Sequence, residues 1–374
     1  MHELSQMIKD DMKPALGVTE PGAIAFAVAK ARSFTKGDIK KVNVAMNSGM
    51  YKNAFTCGIP NSNEVGNVFA AALGVVAGNA DKGLESLADV TPEDNVKAQE
   101  MIDQGKVTVE LSGITSRIFI EATVETEEDK AIVTIRDSHT NITKITVNDK
   151  VELETEDEKK TEEDGGEEEA HSIHKYTLQQ LYDYVTTVDI EEIRFINEAY
   201  KVNLELFHEG LENPRTTFAR QLLAINNGKE VSDDEQKTAS LMCNAAIEAR
   251  VIGLDKPAMS ITGSGAHGII ATMPLYAAYK VNGYTEEQLL RATALSYLVC
   301  MYIKEYSGRL SAFCGCAIAA GSGMACALVY LRGGTVEMMA HTLNNMASSI
   351  TGMICDGGNQ GCTMKGVAAV DAAY

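Results

Sequence analysis

Residues 107–150 decide the fold class. The segments "VTVEL" at 107–111, "RIFIEATVE" at 117–125, "KAIVTIR" at 130–136 and "ITKITVN" at 142–148 alternate apolar and polar side chains between polar turns. A period of two puts the apolar set on one face, so the spacing predicts an antiparallel sheet with one wet face. Just upstream, "KKVNVAMN" at 40–47 alternates in the same way and runs into what reads as a glycine-containing turn, "NSGMYKNA" at 47–54. Further back, "AIAFAVAKARSF" at 23–34 and "EVGNVFAAALGVVAGN" at 64–79 read as helices rich in small residues. Thr19 can cap the first of these, with Pro21 in its first turn.

Beyond the sheet the pattern becomes helical. "TLQQLYDYVTTV" (177–188), "IEEIRFINEAYKVNLELF" (190–207), "DDEQKTASLMCNAAIEARVI" (233–252), "EEQLLRATALSYLVCMYI" (286–303), "AIAAGSGMACALVYLRGG" (317–334) and "TVEMMAHTLNNMASSITGMI" (335–354) carry the helical period. The expected class is therefore α+β. An N-terminal α/β domain with a small antiparallel sheet spans 1–165, and an all-helical domain spans 166–374. Between them, "ELETEDEKKTEEDGGEEE" at 152–169 holds eleven acids against two lysines and reads as a solvated acidic loop.

The 374 residues carry a formal charge of −19, which argues against a nucleic-acid partner because a polyanion meets repulsion over most of the surface. No apolar run is long enough for a membrane span and the N-terminus has no apolar signal core, so a cytoplasmic protein with no membrane partner is expected. Eight cysteines in such a chain are core filler, metal ligands or nucleophiles rather than a disulfide framework. Six of them, from Cys300 onward, crowd the last quarter.

Small and polar residues interrupt the helical background at "GVTEPG" (17–22), "NSGMYKNAFTCGIPN" (47–61), "TGSGAHG" (262–268), "KEYSGRLSAFCGC" (304–316) and "GMICDGGNQGCTMKG" (352–366). Such turns let backbone N–H groups approach an anion. "TGSGAHG" lacks the lysine of a P-loop and shows no strand before it, which argues against nucleotide binding. Ser264, His267 and the nearby amides are candidates to hold a small anionic substrate, and a plain helix-capping turn explains the same residues. Cys355 follows Cys314 by 41 residues and Cys362 follows by 7 more, with no CxxC knuckle of the zinc kind. Three spaced thiolates among glycines suit an iron–sulfur cluster with one iron free of protein ligand, and buried inert cysteines are the alternative.

"FCGCAIAAGSGMACALVYLRGG" and "GMICDGGNQGCTMKGVAAVDAA" resemble the C-terminal α-domain of iron–sulfur L-serine dehydratases. With "TEPGAIAFAVAKAR", "MYKNAFTCGIP", "ITGSGAHGI" and "KEYSGRLSAFCGCAIAAG", the whole chain resembles the L-cysteine desulfidase family, a serine-dehydratase-like group. The resemblance implies a serine-dehydratase-like α-domain and a 4Fe-4S cluster on Cys314, Cys355 and Cys362. It implies a PLP-independent lyase that degrades L-cysteine to pyruvate, ammonia and sulfide. L-serine or a related amino acid is the second substrate, and a homodimer is the assembly to allow for. Cys316 rivals Cys314, whereas Cys300 and Cys326 fall in helical runs and read as core.

Carried onto this chain, the catalytic candidates are Glu20, Lys52, His267 and Arg309, and the substrate-binding candidates are Thr19, Asn53, Ser264 and Ser307. Arg309 is a natural clamp for a carboxylate. Lys304, Glu305 and Lys365 stand near the cluster cysteines in sequence. One departure stands out: the family's Gly-Cys-Thr-Glu-Pro motif reads Gly-Val-Thr-Glu-Pro here, with Val18 in the place of a cysteine. That exchange keeps a second class in view, a catalytically silent relative that binds an amino acid or a metal.

Overall fold

A computed structural model describes residues 1–115, 117–156, 172–308 and 310–374. The first half of the chain runs α1 (Glu3–Asp11), β1 (Lys13–Leu16), α2 (Thr19–Arg32), β2 (Ile39–Asn47), α3 (Ser48–Ala54), α4 (Asn67–Ala77), α5 (Pro92–Asp103), β3 (Val107–Gly113), β4 (Phe119–Thr126), β5 (Lys130–Arg136), β6 (Ile142–Val147) and β7 (Lys150–Glu154). The second half runs α6 (Leu178–Thr187), α7 (Ile190–Ile193), α8 (Asn197–Glu212), α9 (Phe218–Ile225), α10 (Glu235–Val251), β8 (Pro257–Ser260), α11 (Gly265–Asn282), α12 (Glu286–Ser307), α13 (Gly321–Leu331), α14 (Val336–Ile350) and α15 (Gly361–Ala373). The class is α+β. Two compact units emerge: Leu16–Glu168 with Asp356–Asn359, and Met1–Ala15 with Glu169–Cys355 and Gln360–Tyr374. The boundary expected at residue 165 lies outside the described residues, as does most of the acidic stretch 152–169.

In the first unit six strands form one sheet in the order β3-β2-β4-β5-β6-β7. The segment 107–111 departs from the antiparallel expectation: β3 pairs only with β2 and in parallel, while the other four strand pairs are antiparallel. Register places Val44 opposite Ala122, Ala122 opposite Val133 and Val133 opposite Ile145, so one row crosses four strands. Val42, Met46, Ile120, Val124 and Ile135 share that buried face. Each fully buried Val or Ile contributes about 1.5–3 kcal/mol of transfer free energy, which fixes the register because a one-residue slip would expose the whole set. Helix α2 covers β4 and β5 and is itself covered by α4.

Three local expectations are corrected in this unit. Thr19 does not cap α2: the cap is Val18, which makes no side-chain hydrogen bond, and Thr19 Oγ1 donates to Glu20 Oε2 at 3.2 Å. The stretch after β2 is the short helix α3 rather than a turn, because Met50 and Ala54 lie one turn apart and are both fully buried. Glu152 and Glu154 belong to the edge strand β7, where they pair with Lys150 and Lys144 at 2.8 Å each.

In the second unit α10 is the central helix, buried from Thr238 to Val251, with α8, α9, α11 and α15 packed on it. Glu248 on α10 is fully buried and caps α9 from outside. It accepts the N–H groups of Thr217 (2.7 Å), Phe218 (3.1 Å) and Ala219 (2.8 Å), plus the Thr217 hydroxyl (3.1 Å). These are helix-terminal donors that would otherwise be orphaned. The unit is not all-helical, since β1 and β8 pair as a two-stranded ribbon. Among the described residues no helix is long and apolar enough to cross a membrane.

Candidate functional site

The four last-quarter cysteines outside α12 and α13 meet in the second unit. Two chain segments lie side by side: Cys314 N–H donates to Met353 O at 2.8 Å, Cys355 N–H donates to Ala312 O at 2.9 Å, and Phe313 bridges Ile354. This short antiparallel pairing joins Cys314 and Cys355 across 41 residues of sequence. Immediately after Cys314 the chain makes a π-helical turn, Cys316–Ala320, a local irregularity that often marks a functional site. Cys362 stands in the first turn of α15.

The electrostatics show that these thiols share one neighbourhood. Cys316 donates to Cys314, which lowers the Cys314 pKa, and the Ala317 and Cys316 N–H groups and the Lys365 ammonium act in the same sense. The Cys316 pKa is pushed up by that same hydrogen bond, by burial, and by Cys314, Cys362 and Cys355. Cys314 is therefore the more acidic thiol of the pair. By contrast burial pushes Cys300 and Cys326 up to about 12, and they are inert core thiols. None of the eight cysteines forms a disulfide.

Among the described residues, no three His, Cys, Asp or Glu side chains converge closely enough to hold one metal ion. A polynuclear cluster spreads its cysteine sulfurs over several irons, and an all-thiol donor set with one acidified thiol beside a lysine has the right chemistry for it.

Next to the thiols lies the turn "TGSGAHG". A strand does precede it, β8, contrary to the sequence reading, but β8 pairs in the ribbon with β1 and not in a nucleotide-type sheet. Thr262 (φ 52°) and Gly263 (φ 73°) form a left-handed two-residue turn closed by Ile261 and Ser264, and α11 follows with Ser264 at its N-cap. Thr262 Oγ1 donates to Ile261 O at 2.7 Å and lies 2.5 Å from His267 Nδ1. The hydroxyl has one proton, so Nδ1–H is the donor to it and Nε2 is left as the basic nitrogen. A Cβ on Gly315 would sit 2.8 Å from that Nε2, which places the imidazole directly against the Cys314-Gly315-Cys316 backbone. Burial holds the His267 pKa well below the usual value, with the Lys304 and Arg250 charges acting the same way, so the ring is neutral at neutral pH. Lys304, buried, donates to Ser311 Oγ at 3.1 Å.

The remaining candidates divide between the units. In the first unit Glu20 is buried in the first turn of α2, and Asn53 on α3 donates to its Oε1 at 2.8 Å. The same oxygen lies 4.0 Å from His139 Nε2. The sequence reading passed over His139 because it stands in a polar turn, "RDSHTN", between strands. Lys52 also lies on α3, and its carbonyl backs onto Gly357 (φ 108°), while Gly358 N–H donates to Asn53 O at 3.1 Å. Gly358 also abuts Val18, and the 356–359 stretch links Cys355 to the helix carrying Cys362. In the second unit Ser307 only closes the end of α12, bonding to Lys304 O at 3.2 Å, and borders an apolar cavity of about 610 Å³ with Tyr302, Tyr306 and Phe313. Arg309 lies outside the described residues.

The class these features define is an α+β protein whose helical unit gathers thiols around a π-helical turn. The chain belongs to the serine dehydratase alpha chain family, whose family model matches residues 81–374. It is 40% identical over 370 residues to a UPF0597 protein of Clostridium botulinum, covering 98% of this chain and 85% of that one. It is 37% identical over 370 residues to a UPF0597 protein of Caldanaerobacter subterraneus subsp. tengcongensis, covering 99% and 86%. To a UPF0597 protein of Bacteroides fragilis it is 34% identical over 373 residues, covering 99% and 86%. No solved structure matches.

Proposed function

We propose that the protein is a PLP-independent amino-acid lyase that uses an iron–sulfur cluster and takes L-cysteine first and L-serine second. The observation that carries this reading is the pairing of the 312–314 and 353–355 segments, which brings Cys314 and Cys355 together beside Cys316 and Cys362. Cys314, Cys355 and Cys362 would hold the cluster, and Cys316, which donates to Cys314, supports that ligand. When bound, a cluster with one iron open supplies a Lewis acid for the departing sulfur or hydroxyl.

The chain's own groups handle charge and protons. His267 Nε2 is a neutral base held in place by Thr262 beside Gly315, and β-elimination requires that the substrate's α-proton pass to such a base. The electron pair left behind forms the Cα–Cβ double bond as the β-substituent leaves with its own pair. The aminoacrylate produced becomes the imine, and water converts that to pyruvate and ammonia. In the first unit Glu20, whose carboxylate accepts from Asn53, is a separate candidate, with His139 Nε2 4.0 Å away. Val18 favours the other reading, a silent binding relative, because valine can neither ligate iron nor transfer a proton.

The test is an anaerobic assay of sulfide, pyruvate and ammonia from L-cysteine, and of pyruvate and ammonia from L-serine. Turnover of either substrate supports the lyase. Turnover of neither by protein that carries a full cluster makes the silent relative the better account.

A further inference from the structure

Arg250 is the most unusual buried charge in the second unit. It lies near the end of α10, only 5% exposed. Its Nε is buried without a hydrogen-bond partner among the described residues. Glu248, two residues away, is fully engaged in capping α9. A buried guanidinium nitrogen left without a partner is unfavourable, so a fold that keeps one favours an acceptor beside it.

The place where Arg250 points is built for an anion. A Cβ at position 265 would fall 2.6 Å from Arg250 Nε and 3.0 Å from its Cδ, so glycine is what lets the guanidinium stem lie on the first turn of α11. That turn follows the left-handed Thr262–Gly263 corner, and Ser264 offers its N–H groups no side-chain cap. Helix N-terminal amides attract negative charge. The second buried cation, Lys304, approaches the same ring, since both it and Arg250 act on His267. Asp11, the carboxylate on this side, accepts the Thr262 N–H.

We propose that Arg250 and Lys304, with the first-turn amides of α11, form a binding site for the α-carboxylate of the amino-acid substrate. The proposal rests on the amino-acid lyase reading and assigns one of its substrate contacts to a residue deep in a helix. One guanidinium, and one ammonium already shared with Ser311, suit a planar monoanion. His267 and Gly315 adjoin the site, so a carboxylate anchored there holds the amino acid beside both the base and the cysteine-bearing turn.

The test uses the full chain and two probes that cannot eliminate: L-alanine, which keeps the carboxylate, and L-alaninamide, which lacks it. Binding is read by calorimetry in a buffer free of other oxyanions, with inorganic phosphate as a third probe. The wild type is expected to bind L-alanine and not the amide. Arg250→Met is expected to weaken L-alanine binding at least about tenfold, and Arg250→Lys to restore part of it. Arg250→Met is also expected to melt no lower than the wild type, because it removes a buried polar nitrogen that has no partner. Equal binding of acid and amide, an unchanged Arg250→Met affinity, or Arg250-dependent binding of phosphate in preference to L-alanine would each overturn the assignment. An Arg250→Met protein that fails to fold would also overturn it, by showing that the guanidinium is structural. Failure of the lyase reading shows separately: wild-type protein that binds L-alanine through Arg250 but releases no pyruvate keeps the site and loses the reaction.

Discussion

Gly315 is where one methyl group tests the most structure. In Gly315→Ala the new Cβ would lie 2.8 Å from His267 Nε2, 3.2 Å from its Cε1 and 3.3 Å from Lys304 Cδ. Ordinary contact begins near 3.4 Å, so the ring or the backbone must move by roughly 0.6 Å. The ring has little freedom, because its Nδ1 is held by Thr262 and Thr262 is held by Ile261. The strain therefore falls on the backbone joining Cys314 to Cys316, and overpacking of this kind costs about 1–3 kcal/mol. The control is Gly352→Ala, where a Cβ meets nothing within 4 Å, and stability there is expected to hold within about 0.5 kcal/mol. Urea denaturation and iron content after anaerobic purification are measured on both. The expected result is lower stability and lower iron for Gly315→Ala alone. If Gly315→Ala matches its control in both, the imidazole does not press on the cysteine turn and the geometry argued here is wrong.

Other consequences follow from the same contacts. Glu248→Ala removes the acceptor of four donors at α9 and is expected to cost about 2–4 kcal/mol by denaturation; a loss below about 1 kcal/mol would show that water replaces the cap. Val18→Cys replaces a buried side chain by a smaller one, so stability should change by about 1 kcal/mol or less. Cysteine turnover should rise if that position acts in the chemistry, and an unchanged rate shows that it does not. Because His267 has a folded pKa below its unfolded value, the unfolded chain takes up a proton first as pH falls through about 6.5. Stability therefore drops with acidification in that window, by up to about 1.4 kcal/mol per pH unit from this group, and His267→Gln should flatten the slope by that amount. A parallel slope in both proteins would mean that the ring titrates normally.

The sheet was legible because alternation is local: the segments of 117–148 carry their own buried face, whereas 107–111 became the edge strand β3, paired in parallel with β2 and with Leu111 exposed. Most of the long helices were legible for the same reason, but α11 (Gly265–Asn282), buried along most of its length, shows no apolar stripe and was not singled out. What else escaped was short or tertiary. The four-residue strands β1 and β8 have too few residues to show a period, and so "TGSGAHG" looked strandless. Helix α9 is capped by Glu248 from another helix, a contact that no local pattern announces. The cysteines could be singled out by spacing and glycine content, yet the backbone pairing of 312–314 with 353–355 depends on chain 41 residues apart. His139 and Arg250 were missed for opposite reasons, one lost among turn residues and the other hidden in a helix that read as ordinary. A "SHT" turn beside a buried carboxylate and an arginine amid "AAIEARVIG" were the signals available, and neither means anything until the fold supplies its neighbours.

The central claim, that Cys314, Cys355 and Cys362 hold an iron–sulfur cluster, is tested most directly by iron and acid-labile sulfide content. Wild type and Cys355→Ala would be purified and reconstituted under anaerobic conditions and compared. The account predicts about four irons and about four sulfides per wild-type chain and a loss of both in Cys355→Ala. A wild-type chain that takes up no iron, or a Cys355→Ala chain that keeps the full complement, would contradict it.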